Sequence, residues 1–303
     1  MENSLELSKA AQQKAISKIF CKLDEMLEDT AFATAYRDHP ISCIAVENER
    51  LFGASFLEST ALFYTCSAYH ATTKQSAEAP VLLNQGFAHY LLAFQIYLAD
   101  LRYVNVHKIE NFVEGEDLCL LGFARAISYG FENVSDWWAE QLFFVRANNP
   151  DYLNQSMLDM NLLNHLLLLH TCWYEKRWCE PEEVTSDLGP YQALWKSVQD
   201  EKLRRSALGD CASYHLIEAL NNDYSPFGSM PYGPYPVELI AWKKLYKRCF
   251  ASECELPSHP LFDNAVVNAI GSARLYKDQF LNELQSKVRL FYGTCWSSPD
   301  KDS

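Results

Sequence analysis

The stretch LLNHLLLLHTCW, residues 162–173, is the most apolar part of the chain and decides which fold the chain can adopt. The two histidines His165 and His170 interrupt it. As a helix it would be apolar on most faces, and such a helix has to be enclosed by other elements. It is too short to cross a bilayer, which takes about 20 apolar residues. The stretch therefore predicts a central helix, which we place at 151–178, within a bundle.

Apolar residues recur at helical spacing on both sides of this stretch. The pattern predicts further helices at 4–28, 52–74, 80–105, 116–129, 134–147, within 190–220, from Pro236 onward and, with Asp263 as its N-cap, at 263–291. One short β-branched run, ISCIAV (41–46), has nothing nearby that would pair with it. The fold class that follows is all-α, an irregular bundle of about 9–12 helices.

The turn ANNPD (147–151) is the best candidate for a boundary inside this bundle. It divides the chain into an N-terminal helical subdomain at 1–148 and a C-terminal one at 149–296, packed closely together. The residues beyond them, 297–303, are expected to form a disordered tail.

Composition and charge restrict the class of protein. The 303 residues are 49% hydrophobic, which excludes disorder over most of the chain. The net charge of −13 argues against binding to nucleic acid or to an anionic membrane and is compatible with a basic protein partner. The N-terminus has no signal-peptide pattern, so we expect a cytoplasmic protein. The ten scattered cysteines then predict reduced thiols.

Motifs for known chemistry are missing from the sequence. It contains no phosphate-binding glycine loop, no nucleophile elbow, no HExxH and no DDxxD. His165, Cys172 and Cys179 are spaced seven apart, but side chains in such a column cannot converge on one metal ion. We therefore predict no catalytic residue, no metal and no cofactor. A site assembled from distant His, Asp and Glu residues stays open as an alternative.

The stretch DYSPFGSMPYGPYPVELIAWKKL (223–245) combines four prolines with aromatic rings. Each proline restricts its own φ and that of its predecessor, which predicts a rigid crossover and not a flexible linker. The rings of Phe227, Tyr232 and Tyr235 are candidates for a partner-binding surface, because tyrosine is a common interface anchor. The alternative is that these rings only cover the core.

Two carboxylate clusters are further candidates for partner contacts. Glu114, Glu116 and Asp117 lie at a predicted helix start, where acids also offset the helix dipole. The second cluster, Glu180, Glu182 and Glu183, follows a helix end, where the dipole gives no reason for acids. A solvated surface is the commoner explanation of such clusters, and acids placed against the dipole are the better candidates for a partner contact.

The segments PYPVELIAWKKLYKR (234–248) and LPSHPLFDNAV (256–266) resemble a pattern in bacterial helical proteins encoded beside toxin genes. The resemblance covers about 35 residues and is to acidic, all-helical immunity proteins of interbacterial toxin systems. It implies a non-enzymatic antidote that blocks a toxin domain in the producing cell. The negative charge separately suggests a basic toxin, such as a nuclease.

Three functions are therefore compared. An immunity protein that occludes a toxin predicts an acidic or aromatic patch exposed on one side. An all-α enzyme predicts histidines and acids that meet in an enclosed pocket. A helical scaffold or regulator predicts a long concave face. The oligomeric state does not follow from the sequence.

Overall fold

The computed structural model describes residues 8–28, 45–47, 50–52, 54–107, 116–148, 160–183, 187–221, 232–270, 274–277 and 279–299. Within these ranges the chain is an all-α bundle, as predicted. The eleven helices are α1 (Lys9–Glu28), α2 (Ala54–Thr73), α3 (Ala79–His107), α4 (Glu116–Tyr129), α5 (Glu132–Asn148), α6 (Met160–Glu175), α7 (Gln192–Lys196), α8 (Glu201–Asn221), α9 (Val237–Phe250), α10 (Ala265–Ala269) and α11 (Gln279–Tyr292). Single 3₁₀ turns lie at Pro181–Glu183, Gly189–Tyr191 and Gly293–Cys295.

A short hairpin precedes α2 and corrects one expectation. Strand β1 (Ala45–Glu47) pairs antiparallel with β2 (Arg50–Phe52), and Val46 lies opposite Leu51. The prediction that the run at 41–46 has no partner was wrong for Ala45 and Val46, whereas 41–44 lie outside the described residues. Strand β2 has only three residues, which is too few to show the alternation that identifies a strand in sequence.

Helix α6 occupies the central position that its sequence predicts. Nine of its side chains are buried: Leu162, Leu163, His165, Leu166, Leu168, Leu169, His170, Cys172 and Trp173. It packs against α4, α5 and α9. The first part of the predicted helix, 151–159, lies outside the described residues. None of the helices in the described ranges is both long and apolar enough to span a membrane.

Close approaches between helices depend on two glycines. A Cβ at Gly86 of α3 would lie 2.6 Å from Thr65 Oγ1 on α2. A Cβ at Gly122 of α4 would lie 2.5 Å from the Trp138 ring and 2.6 Å from the Tyr90 ring. Trp138 in turn stacks on Phe94, with 4.0 Å between ring centroids. The absence of a side chain at these positions lets α2, α3, α4 and α5 pack around large aromatic rings.

The buried core is continuous across the predicted boundary at 148/149. Helix α4 from the first half packs on α9 from the second, and α1 packs on α8. One cluster of buried apolar side chains includes residues from both halves. The two predicted subdomains therefore share one core.

The predicted tail begins in an ordered position. Ser297 Oγ accepts a hydrogen bond from Trp137 Nε1 (3.0 Å), and the Ser297 carbonyl accepts one from Gln95 Nε2 (3.4 Å). The expectation of disorder is thus wrong for 297–299, because α3 and α5 supply donors to this segment. Residues 300–303 lie outside the described part of the chain.

The predicted long helix at 263–291 is two helices. Asn264, not Asp263, is the N-cap of α10, and its side chain accepts hydrogen bonds from Val266 N and Val267 N. Residues 274–277 are not helical, and Arg274 N donates to Asn84 Oδ1 of α3 (2.8 Å). At this point the chain contacts α3 and does not continue as a helix.

Candidate functional site

The predicted ring anchors lie mostly inside the protein. Tyr235 is only 3% exposed and packs 5.9 Å from Tyr129, so the prediction that it offers a surface ring was wrong. Tyr232 is half-buried, and its hydroxyl lies 3.4 Å from the Tyr90 hydroxyl. Phe227 lies outside the described residues. In the described end of the crossover, these rings pack against the core, as the alternative interpretation predicted.

The predicted acidic cluster after α6 is exposed but locally neutralised. Arg177 Nη2 lies 2.6 Å from Glu183 Oε2, and Lys196 Nζ lies 3.4 Å from Glu182 Oε1. The Arg177 guanidinium and then the Glu180 N–H, which donates to Glu183 Oε1, lower the pKa of Glu183 to about 2. The cluster is a set of local ion pairs and presents less uncompensated charge than its sequence suggests.

The other predicted cluster is described only in part. Glu116 and Asp117 form the first residues of α4, where the positive end of the helix dipole favours acids. The structure does not describe their side chains, and Glu114 lies outside the described residues. These three positions stay predictions.

Histidines and an acid do meet in the interior, between α6, α8 and α9. His215 Nδ1 on α8 lies 2.9 Å from Glu238 Oε1 on α9, and both side chains are fully buried. His165 Nε2 on α6 lies 3.3 Å from the Glu238 backbone carbonyl. His259 Nε2 lies 3.4 Å from Ser213 Oγ. This arrangement has the residue types that the enzyme alternative requires.

The hydrogen bonds of these rings oppose general-base catalysis. The Leu261 N–H donates to His259 Nδ1 (3.2 Å), so Nε2 carries the proton and can only donate to Ser213 Oγ. His259 therefore cannot take a proton from Ser213, which a serine nucleophile would require. Burial lowers the pKa of His259 to about 4, so the ring is neutral at pH 7.

Hydrogen bonds likewise occupy both ring nitrogens of His165 and of His215. Trp195 Nε1 donates to His165 Nδ1 (3.0 Å), so His165 Nε2 donates to the Glu238 carbonyl. His215 Nε2 donates to the Gly233 carbonyl (3.1 Å), while its Nδ1 faces the Glu238 carboxylate. The cluster thus holds α6, α8, α9 and the turn before α9 together. In the described ranges, no group of three or more His, Cys, Asp or Glu side chains converges as metal ligands.

A pair of stacked aromatic rings is exposed on the face formed by α5 and α6. Phe143 and Tyr174 have ring centroids 4.9 Å apart and planes inclined by 3°. Phe143 is 51% exposed and Tyr174 is 40% exposed. Glu140, one turn before Phe143, is also exposed and forms no ion pair with a described residue. This ring pair is the feature that best fits a partner-binding surface.

Sequence reasoning did not identify the ring pair, although the sequence contains a sign of it. Phe143-Phe144 and Trp173-Tyr174 are aromatic doublets on helices. Neighbouring helical residues point about 100° apart, so a doublet tends to turn one ring away from the core. Trp173 is buried and Tyr174 is exposed accordingly. That the two outward rings stack depends on the packing of α5 on α6.

A buried cation lies among tyrosines where α3, α4 and the turn before α9 meet. The guanidinium carbon of Arg125 on α4 is 4.5 Å from the Tyr90 ring centroid and 4.9 Å from that of Tyr232. Arg125 is only 3% exposed. Tyr129 and Tyr235 are also close enough for the Arg125 charge to affect the pKa of their hydroxyls.

No protein-family model, no curated protein sequence and no solved structure matches this chain. The case for a function therefore rests on the residues described above.

Proposed function

We propose that this protein is a non-enzymatic binding protein of the immunity type, which neutralises a cognate bacterial toxin by covering part of the toxin's surface. The partner is a basic protein, such as a nuclease domain, because a net charge of −13 speeds the approach of a positively charged surface. The resemblance of 234–248 and 256–266 to immunity proteins supports the same class of function.

The observation that carries the proposal is the exposed stack of Phe143 on Tyr174. Two large rings that are about half exposed lose apolar contact with water when a partner covers them. The stack already restricts both side chains, so binding costs less conformational entropy. Aromatic residues are the commonest anchors at the centre of protein interfaces. We place this pair near the centre of a contact that buries about 1,600 Å² in total.

Charge near the ring pair agrees with a basic partner. Glu140 lies on the same helical face as Phe143 and has no ion-pair partner among the described residues. Glu175, next to Tyr174, is shared with Arg177 (2.6 Å). Arg146, one turn after Phe143, is half-buried and its Nη1 donates to His170 Nδ1 (3.3 Å). Glu140 is therefore the carboxylate we assign to the partner's basic groups.

The enzyme alternative has the buried histidine cluster in its favour, but the chemistry is unfavourable. Each of His165, His215 and His259 is engaged at both ring nitrogens. A general base needs a nitrogen lone pair directed at a substrate. The scaffold alternative has no comparable observation in its favour.

The test is co-expression with the product of the adjacent gene, induced in a laboratory bacterium. The wild-type protein should restore growth if that product is the toxin. The double variant Phe143→Ser/Tyr174→Ser should fail to restore growth while keeping its helix content and unfolding midpoint. Leu203→Ser and Leu290→Ser are matched controls, because these side chains are 59% and 87% exposed on α8 and α11. Both controls should rescue growth.

The outcomes separate the function from the surface. Absence of both rescue and a complex with the wild-type protein would remove the immunity proposal. Rescue by the ring variant as well as by wild type would keep the function and reject the ring pair as its surface. Charge reversal distinguishes the acids: Glu140→Lys should slow association and weaken its salt dependence. Glu182→Lys should change it less, because Lys196 already offsets this carboxylate.

A further inference from the structure

The face formed by α5 and α6 contains one site that already holds a guanidinium. The guanidinium carbon of Arg248 on α9 lies 4.2 Å from the centroid of the Trp173 ring on α6. Arg248 Nη1 lies 2.9 Å from Asp136 Oδ1 on α5. The same oxygen of Asp136 accepts a hydrogen bond from Trp173 Nε1 (2.9 Å). An acid from α5 and a ring from α6 thus hold an arginine that a third helix supplies.

A second combination of the same residue types lies one turn further along α5. Glu140 follows Asp136 by four residues on α5. Tyr174 directly follows Trp173 on α6. Phe143, three residues after Glu140, adds a second ring, whose plane is inclined by 3° to that of Tyr174. Residues three or four apart are neighbours on a helix surface, so Glu140 lies beside the ring pair. We call Glu140, Phe143 and Tyr174 the outer site.

Among the residues that the structure describes, none supplies a cation to the outer site. No described Arg or Lys lies over either ring, and Glu140 forms no ion pair with a described residue. Arg146, one turn after Phe143, donates from Nη1 to His170 Nδ1 (3.3 Å). A cation at the outer site therefore has to come from another molecule.

We propose that the outer site binds an arginine side chain, with its guanidinium stacked on the ring pair and its N–H donors directed at the Glu140 carboxylate. A guanidinium is planar, so it can lie on a ring face while its edge donates hydrogen bonds to a carboxylate. A lysine ammonium is a compact, strongly hydrated charge without a flat face. That the arginine belongs to a toxin rests on the proposed function, whereas the guanidinium site follows from the residues of α5 and α6.

The charges around the outer site favour a single guanidinium over an apolar side chain. Glu175, the other carboxylate next to Tyr174, already lies 2.6 Å from Arg177 Nη2. Glu140 is thus the carboxylate of this face that a partner's charge has to balance. An aliphatic or aromatic side chain would cover the rings but would leave Glu140 shielded from water without a partner, which is costly. An arginine covers the rings and balances the charge of Glu140 together.

The test titrates the full chain with ethylguanidinium and, separately, with ethylammonium at constant ionic strength. The two probes have the same alkyl group and the same charge, so only their head groups differ. Ring signals of Phe143, observed by NMR with isotope-labelled phenylalanine and assigned by their loss in Phe143→Ser, report on binding. We expect ethylguanidinium to shift these signals with saturation and to bind about two to five times more tightly than ethylammonium.

Variants test the two parts of the outer site. Glu140→Gln should weaken ethylguanidinium binding about two- to fivefold, because it removes the charged acceptor. Tyr174→Ser should weaken it as well, because it removes one ring. The matched control is Glu132→Gln, which removes an equal charge from the start of α5 and should leave the dissociation constant almost unchanged. Glu140 and Glu132 are both exposed, so neither substitution disturbs the core.

The outcomes separate this site from the proposed function. Equal affinity for the two probes, equal losses in the two carboxylate variants, or absence of a saturable shift would each overturn the assignment to arginine. The probes are added to the protein alone, so their binding does not depend on a toxin. Failure of growth rescue would remove the immunity function and leave the guanidinium site, whereas rescue without probe binding would reject arginine and keep the function.

Discussion

His215 Nδ1 on α8 lies 2.9 Å from Glu238 Oε1 on α9, and neither side chain has exposed surface. Glu238 lies in the first turn of α9, where the positive end of the helix dipole stabilises a carboxylate. The second nitrogen of His215 donates to the Gly233 carbonyl. The pair therefore joins two helices and the turn between them in one buried contact.

Removing the carboxylate of Glu238 should be far more costly than replacing it with an amide. In Glu238→Ala, His215 Nδ1 is left without a partner in the interior, and we expect a loss of about 3–5 kcal/mol of unfolding free energy. In Glu238→Gln, the amide N–H can donate to a neutral His215, so we expect a loss of about 1–2 kcal/mol. Urea denaturation of both variants at pH 7 measures the difference.

Glu253→Ala is the control for this comparison. Glu253 pairs with Lys247 on the surface, where solvent screens both charges, so its removal should leave the unfolding free energy almost unchanged. If Glu238→Ala and Glu238→Gln lose the same unfolding free energy, the buried pair stabilises the fold by packing and not by its charge.

Replacing two helical glycines by alanine should change the unfolding free energy in opposite directions. Gly122→Ala places a Cβ 2.5 Å from the Trp138 ring, and we expect a loss of about 1–3 kcal/mol because the packing of α4 on α5 must open. Gly209→Ala on α8 meets nothing nearer than Pro257 Cγ at 4.0 Å. There we expect a gain of about 0.5–1 kcal/mol from helix propensity. Thermal and urea unfolding of both variants measure these changes, and a gain at Gly122 would contradict the described packing.

The local pattern of the sequence predicted most helices but not their breaks. Helix α4 begins and ends at the predicted residues 116 and 129, because its apolar spacing is strong. The break before α11 was missed because it depends on Arg274 contacting Asn84, which is 190 residues away along the chain. Local propensity carries no information about such a contact.

The candidate site was less predictable for the same reason. An acid such as Glu238 in the first turn of α9 is favoured by local helix electrostatics, but its partner His215 is supplied by another helix. Tyr235 was a reasonable anchor by residue type, and only the tertiary structure places it at 3% exposure. Phe143 and Tyr174 become a pair through the packing of α5 on α6. Residue types limit the possible surfaces, and packing decides which rings are exposed.

The buried histidines should make the protein lose stability between pH 6.5 and 4. Burial lowers the pKa of His165, His170 and His259 from 6.5 to about 4. In this pH range the unfolded chain binds protons that the folded protein excludes, so the free energy of unfolding falls as the pH falls. Each histidine contributes a loss of about 3 kcal/mol by pH 4.

Urea denaturation at several pH values measures how steeply the free energy of unfolding falls. His259→Asn keeps an acceptor for the Leu261 N–H and removes one titrating ring, so its slope should be shallower at a lower baseline. A wild-type stability that stays constant from pH 7 to pH 4.5 would be incompatible with neutral histidines held in the core.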